Sequence, residues 1–484
     1  MTIELIVAPP ASGKTYTCIQ NILRLQKANL FSQTWIIVPD HQKAPYYRKL
    51  LADSGGGMGV KVGSFSDFFV EVLESCGNFT PVLTSALNIR LVQETVKASA
   101  AAGELVHYAK IADKPGFIQV LQDSFAELRS EYLTPDNFLD EGPDMIPSQR
   151  ELAILYARYT SRLTQLNWVD KEGLGWLAVD ILKDNPQALK GVDYVVADGF
   201  TTFNGIRRVF LKLLAERVNK LTITLPGEKG FSRLVNRKSK TVLQELKELL
   251  QVNEQYIEPN SQMPEYLNHA EKFILDAGNF QRINTPKPIL LEVTSQAEET
   301  REALRWVKSL HLREGIQLHD CAIFASNLNA YQPLLRTAAD EFGVPVFFSH
   351  PQVLLDSPAI KSLLALLWLP NVDYETRSVM NSLRSPYFNF GLDTRMLEDL
   401  ERVSKQAVIV MGKEQWDDAW NMLEQMDLQE LDYLDEDKHV VNLLQKVDLN
   451  ALRSAFERFW NFFDGIQISR SQMQWVAWLE EQLL

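Results

Sequence analysis

A short apolar run that feeds a Gly-Lys-Thr turn, followed at once by a helical pattern, leaves this chain few folds to choose from. Residues 3–7 read as a buried strand, and residues 15–30 place Ile19, Ile22, Leu23 and Leu25 near helical spacing. Between them stands Ala8-Pro9-Pro10-Ala11-Ser12-Gly13-Lys14-Thr15, which fits the relaxed phosphate loop: Gly or Ala, four residues, then Gly-Lys-Ser/Thr. Such a loop curls backbone N–H groups around phosphates at a helix N-terminus, sets a Lys on the β/γ-phosphates and offers a hydroxyl to Mg²⁺. Ala8, Ala11, Ser12, Gly13, Lys14 and Thr15 are therefore candidate nucleotide-binding residues, with ATP and Mg²⁺ as the implied ligands. Two prolines remove N–H donors and two customary glycines are alanine, so a tight loop is expected.

The loop needs a carboxylate at the end of a neighbouring buried strand to order the metal's surroundings, and residues 194–197 run into Asp198. Thr15 and Asp198 form the candidate metal pair, although an Asp before a Gly also reads as a turn initiator. A motor ATPase carries Glu next, to orient the attacking water; here that residue is Gly199.

The wider pattern is α/β. Residues 34–38 and 60–62 continue a parallel-sheet opening, and strands return at 194–197 and 221–225 with a helix over 207–218 between them. Over 84–182 the strand signals vanish and helical stripes follow one another, the clearest being Leu152, Leu155, Tyr156, Tyr159, Leu163 and Leu166. Residues 253–288 are polar and carry Pro259, Pro264, Pro286 and Pro288, which suits a linker. A second α/β unit is expected beyond it, with strands at 289–293, 321–324 and 344–347 and helices at 298–312 and 331–342. The domain expectation is thus a first sheet domain from 1–75 with 190–280, a helical insertion over 80–188, a partial second sheet domain over 285–370, and a helical segment over 371–484. Its last helix, 473–484, ends without a stop signal, which suggests a fragment of a longer protein.

Composition narrows the function classes. The chain has 484 residues, 46% hydrophobic and 23% charged, as for a folded globular protein, and its net charge of −13 argues against wholesale coating of a polyanion. Cys18, Cys76 and Cys321 lie far apart in no metal-binding or disulfide spacing, which suits a reducing cytoplasm. The N-terminus lacks the basic stretch of a signal peptide, and the apolar run at 363–369 is too short for a membrane span and reads as a core helix.

Several motifs in order resemble one family: the phosphate loop, Val38-Pro39-Asp40-His41-Gln42, Gly63-Ser64-Phe65, Pro115-Gly116-Phe117 with Glu127-Leu128, Asn167-Trp168-Val169-Asp170, Val196-Ala197-Asp198-Gly199-Phe200-Thr201-Thr202-Phe203, and Leu383-Arg384-Ser385-Pro386-Tyr387-Phe388. Over residues 1–390 the chain is similar to the N-terminal, helicase-like part of AddB/RexB-type subunits of ATP-dependent helicase–nucleases, more distantly RecC. The resemblance implies an inactivated superfamily-one helicase fold with two RecA-like parallel-sheet domains and large helical insertions. It implies a DNA repair and recombination role beside an AddA/RexA-like motor subunit, with ATP bound and hydrolysed slowly or not at all. Ser326 stands where active relatives place an Arg that neutralises the γ-phosphate, which agrees with the missing Glu. The family's nuclease domain and its iron–sulfur cysteines lie further C-terminal, so no DNA cutting is expected of these residues.

DNA contacts follow from the same resemblance. It sets His41, Gln42, Ser64 and Phe65 along the path of single-stranded or unwinding duplex DNA, where an amide, a hydroxyl and a ring hold phosphates or bases. Turn residues at 40–41 and a core ring at Phe65 fit the sequence equally. Residues 205–247 hold eleven Lys or Arg against three acids. Arg233, Arg237, Lys238 and Lys240 are the candidate phosphate track, a solvated helix face being the other reading. The acidic run at 424–437, after Trp416 and Trp420, is expected to face solvent or a partner. An active helicase, a small-molecule kinase and a nucleotide-independent scaffold remain the competing functions; the kinase leaves the second α/β unit and the helical insertions unexplained.

Overall fold

The computed structural model describes residues 2–139, 146–231, 233–258, 263–273, 289–349, 354–425, 449–464 and 471–483. They fall into two compact units, Met1–Glu292 and Val293–Leu484. The first is built on six parallel strands: β1 (Thr2–Ala8), β2 (Gln33–Ile37), β3 (Val60–Gly63), β4 (Val192–Ala197), β5 (Lys220–Pro226) and β6 (Asn253–Tyr256), in the order β3-β2-β4-β5-β1-β6. Parallel strands covered on both faces must be apolar on both, and here alternate residues feed two separate cores. Leu5, Val7, Trp35, Ile37, Val195, Ala197, Ile223 and Leu225 face one side. Ile6, Ile36, Val38, Tyr194 and Val196 face the other.

The second of those faces is covered by α1 (Lys14–Ala28) and α2 (Ala44–Asp53), through Cys18, Ile19, Ile22, Tyr47 and Leu51. The first is covered by α3 (Phe65–Ser75), α8 (Gly173–Asp184), α9 (Gly205–Ala215) and α10 (Arg237–Leu249). Strand β6 lies within the expected linker. Its sequence, Asn-Glu-Gln-Tyr, carries no apolar alternation: as an edge strand it pairs with β1 through backbone bonds and packs Tyr256 against the core of the first face.

The helical insertion has its own core but is shorter than the sequence suggests. Helices α4 (Ser85–Ala101), α5 (Pro115–Ser130), α6 (Pro135–Leu139) and α7 (Pro147–Leu166) come between β3 and β4, and α4, α5 and α7 pack around Leu91, Val92, Phe117, Phe125, Tyr156 and Tyr159. Helix α8, expected within the insertion, belongs instead to the sheet domain: Leu174, Ala178, Val179 and Leu182 sit in the core of the first face. The insertion's ends are joined at a neck. A parallel bridge pairs Val82 with Val169, with Leu83 N donating to Val169 O at 2.8 Å and Val169 N to Pro81 O at 3.1 Å.

Beside that neck lies Asp170, from one of the family-like motifs. Its carboxylate is buried against Arg129 Nε at 2.8 Å, and it accepts from Tyr159 Oη at 2.9 Å and from Gly173 N at 2.7 Å. It thereby ties α5, α7 and the start of α8 together, and Trp176 Nε1 donates to Arg129 O at 2.8 Å.

Helix α11 (Glu265–Phe273) follows β6 in the first unit; in the second unit α12 (Gln296–Glu314) and α13 (Leu328–Phe342) pair around Leu304, Leu335, Ala338 and Ala339. The three strands expected there do not form a sheet: residues 289–293, 321–324 and 344–347 carry no strand pairing, and among the described residues there is one sheet, that of the first unit. The alternation behind the expectation is nonetheless present, since Val344 is buried and Val346 and Phe348 pack on the α12/α13 core. The outward residues explain the difference: Phe324 and Phe347 are 92% and 97% exposed, so one side of this layer lacks the covering a parallel sheet requires.

A second cluster gathers Leu366, Val379, Leu400 and Val403 with Trp416, Trp420, Phe456, Phe459 and Trp460, from α14 (Pro358–Trp368), α15 (Thr376–Leu383), α16 (Thr394–Gln406), α17 (Lys413–Gln425) and α18 (Leu449–Asp464). The 363–369 run is only partly the core helix expected: Leu366 and Leu369 are buried while Leu364 and Trp368 are exposed. Trp416 and Trp420 are core residues; most of the acidic run after them, 426–437, lies outside the described residues, as do Pro259, Pro286 and Pro288. The last helix, α19, is Gln472–Leu483. Among the described residues no helix is long and apolar enough to cross a membrane.

Removing one partner of a buried ion pair strands the other charge, which typically costs about 3–5 kcal/mol. Asp170→Ala is accordingly expected to destabilise the first unit by about that amount in urea unfolding. Hydrogen exchange should rise first at the N-terminus of α8 and the adjoining turn of α5. A loss below about 0.5 kcal/mol, the usual range for surface substitutions, would show that the network is not a structural tie.

Candidate functional site

Because all six strands run the same way, their C-terminal ends share one edge, where open α/β sheets hold ligands. Ala8, Ile37 and Ala197 each close a strand there, in register with Pro226, Gly63 and Ile223 respectively. The turn from β1 into α1 carries two left-handed residues. Ala11 takes a left-handed φ of 57° and Gly13 one of 84°. That conformation costs an alanine of order 1–3 kcal/mol, a strain the surrounding loop must hold.

Helix α1 starts at Lys14 with no capping side chain and no acid in its first turn, so its first N–H groups and the positive end of its dipole are free for an anion. Ser12 Oγ is buried and has no hydrogen-bond partner. Lys14 curls back over the loop, its Nζ donating to Ala8 O and Pro9 O, both at 2.7 Å. Burial pushes the Lys14 ammonium below its ordinary pKa, against the opposing pull of Asp198. A cleft of about 280 Å³ extends from this turn along α1 and α2, lined by Ser12, Lys14, Tyr16, Ile19, Tyr46 and Leu50.

Asp198, 1% exposed, is the centre of the site. Thr15 Oγ1 donates to its Oδ2 at 2.6 Å across 183 residues of sequence, so the structure brings the two candidate metal-binding residues into contact. Tyr47 Oη, from α2, donates to the same Oδ2 at 2.7 Å, and Thr224 Oγ1, from β5, donates to Oδ1. Gly199 N in turn donates to Thr224 Oγ1 at 3.1 Å. Sequence reasoning missed both hydroxyl donors. Thr224 left a signal, a polar residue in the middle of a buried strand; Tyr47 left none, since its place in an amphipathic helix is that of any core aromatic. The burial of Tyr47 and its contact with Asp198 push its phenol far above the ordinary value, so it remains a neutral donor.

The side chains proposed to meet DNA fare unequally. His41 and Gln42 are exposed in the 3₁₀ turn after β2, where Asp40 Oδ1 accepts from Gln42 N at 2.9 Å and His41 Nδ1 lies 3.2 Å from Asp67 Oδ2. Ser64 is the N-cap of α3: its Oγ accepts from Asp67 N at 3.4 Å while its own backbone N–H donates to Asp67 Oδ2 at 2.6 Å, a capping box.

Phe65 corrects the stacking expectation. It is 3% exposed, with Phe69, Phe200, Phe203 and Phe210 within 6.4 Å between ring centroids and the Arg207 guanidinium 5.3 Å from its own. A ring enclosed in this way presents no face to a base. Arg233 is likewise not a free phosphate contact: its Nε lies 2.9 Å from Glu228 Oε2, and it donates to Glu271 Oε1 at 2.9 Å and Glu271 O at 2.8 Å. Arg237, Lys238 and Lys240 are exposed in the first turn of α10.

Phe65→Ala is expected to cost about 3–5 kcal/mol in equilibrium unfolding, the range for emptying a buried aromatic site. A change below about 1 kcal/mol would return the ring to the surface.

The family model described as ADDB, N-terminal, matches residues 5–274, a span that holds the phosphate loop and all of the sheet but the first three residues of β1. The chain is 23% identical to the B subunit of the ATP-dependent helicase/deoxyribonuclease of Alkaliphilus oremlandii, over 83% of this chain and 36% of that protein. It is also 23% identical to the protein of the same name from a Thermoanaerobacter species, over 97% of this chain and 42% of that one. A Listeria innocua relative of that name is 20% identical over 80% and 35%. The chain therefore spans about two fifths of the length of the curated relatives it matches. On the match across more than half of its residues, the chain belongs to the AddB N-terminal family.

Proposed function

We propose that this chain is the nucleotide-binding, DNA-handling and non-motor part of the B subunit of a helicase–nuclease that repairs double-strand breaks in the cytoplasm. Its partners in this reading are DNA and an AddA-type motor subunit. The observation that carries the nucleotide reading is the 2.6 Å contact between Thr15 and Asp198, which joins the end of the phosphate loop to the strand-end carboxylate.

The residues present fit ATP and its Mg²⁺. Ser12 Oγ is a buried polar atom in want of a partner, Lys14 Nζ rests on the loop's own carbonyls, and the α1 N-terminus carries no competing acid. Thr15 and Asp198 would hold the metal, which supplies charge neutralisation between phosphate oxygens. Lys14 would bind the phosphates, and the exposed rings of Tyr16 and Tyr46 line the same cleft.

The non-motor reading rests on what surrounds Asp198. Gly199 offers no carboxylate to orient water, and its φ of 84° is one that a Glu would adopt only under strain. DNA would run along the strand-end edge past His41 and Gln42, with Arg237, Lys238 and Lys240 as the basic side chains free to meet phosphates. Phe65 and Arg233 have no part in it.

Calorimetric titration with ATP·Mg²⁺ tests the site: Lys14→Ala should weaken binding by about a hundredfold, since a charge-assisted phosphate contact is lost in a water-poor loop. Equal affinity in the variant would remove the site. Robust DNA-stimulated hydrolysis by the isolated chain would overturn the non-motor assignment. Replacing Arg237, Lys238 and Lys240 by Gln should flatten the dependence of log K on log salt for single-stranded DNA by roughly 0.7 per lost contact. An unchanged slope would make them a solvated helix face.

A further inference from the structure

Asp198 has already spent most of its hydrogen-bonding capacity on the protein. A carboxylate offers about four acceptor positions. Three of them are taken: Oδ1 by Thr224, and Oδ2 by both Thr15 and Tyr47. The contact with Thr15 joins the phosphate loop to the strand-end carboxylate, and Thr224 belongs to the strand beside it. The contact with Tyr47 is an addition from α2. Asp198 is also shut off from bulk water, so no solvent competes for these positions.

The same phenol occupies space beside Gly199. A Cβ placed there would stand 3.7 Å from Tyr47 Oη and 3.6 Å from the Pro39 ring, in ordinary contact with both. Tyr47, 5% exposed, thus stands beside both the carboxylate and the position of the missing catalytic residue.

From this we infer that Tyr47 is a positioning residue that gives Asp198 a phenolic O–H in place of metal-bound water, so that nucleotide binding here depends only weakly on Mg²⁺. The inference rests on the nucleotide reading above and extends it to the metal requirement. Two hydroxyls on Oδ2 hold the carboxylate in one orientation and soften its charge. The triphosphate is then met chiefly by Lys14, Ser12 and the α1 N-terminus, with the metal adding little through Asp198. A Tyr47 that merely filled core volume would have no bearing on the metal.

The test is ATP affinity of the whole chain, by calorimetry, in excess Mg²⁺ and in excess EDTA, for wild type and Tyr47→Phe. The wild-type affinities should agree within about threefold. Tyr47→Phe frees one charge-assisted acceptor position and should open a gap of about tenfold or more in favour of Mg²⁺. A wild-type gap above about tenfold would overturn the inference, and so would an identical gap in the two proteins. If Tyr47→Phe does not fold, the wild-type gap alone decides. Absence of ATP binding by wild type in both conditions would instead overturn the nucleotide reading, and the inference with it.

Discussion

One buried carboxylate organises the first unit. Asp198 sits at the end of β4, and the three hydroxyls that satisfy it come from α1, α2 and β5. Removing a carboxylate from water costs several kcal/mol unless its oxygens are hydrogen-bonded. The elements that carry Thr15, Tyr47 and Thr224 are thus held to the strand end by the need to satisfy that charge as well as by apolar burial. The helix that follows the phosphate loop and the helix that follows β2 share one face of the sheet, and the same atom fixes both.

The insertion is attached by a similar device with a different consequence. Asp170 and Arg129 form a buried pair at the neck where the four inserted helices leave the sheet domain, and Tyr159 from the insertion core completes it. Because the insertion has its own apolar cluster around Phe125, Tyr156 and Tyr159, the neck has to orient it and need not hold it folded. Helix α8 follows directly and returns to the sheet, with Gly173 and Gly175 where a Cβ would meet Asp170, Arg129 and Phe69 at under 3.1 Å. These two glycines are close-approach positions, where α8 packs tightly against its neighbours.

In the second unit the pattern of a sheet layer is present without the pairing. Val344, Val346 and Phe348 alternate onto α12 and α13, while Phe347 points away from them. Alternation records which face is covered, but a ladder also needs neighbouring backbone in register, and the described residues of this unit pair none. The helical cluster built on Trp416, Phe456 and Trp460 has no such demand, since helices satisfy their own backbone.

The sequence alone determined the parts of this protein that are local and continuous. The octet at 8–15 sits between an apolar run and a helical stripe, and each of the three is encoded by consecutive residues, so strand, loop and helix were all legible. Asp198 was legible as a candidate, since it ends a buried strand, but the turn-initiator reading stood beside it, and only the fold brings its carboxylate to Thr15. The tertiary structure decided what depends on residues meeting from afar. Phe65 and Arg233 look like binding residues in isolation, and only the ring of phenylalanines and the pair of glutamates around them make them structural. Strand β6 is invisible in sequence because it is held by backbone bonds to β1. Tyr47 is indistinguishable from a core aromatic until the fold brings its hydroxyl to an aspartate 151 residues away. Side-chain type fixes what a group is able to do, and only the packing of distant elements fixes which partner it finds.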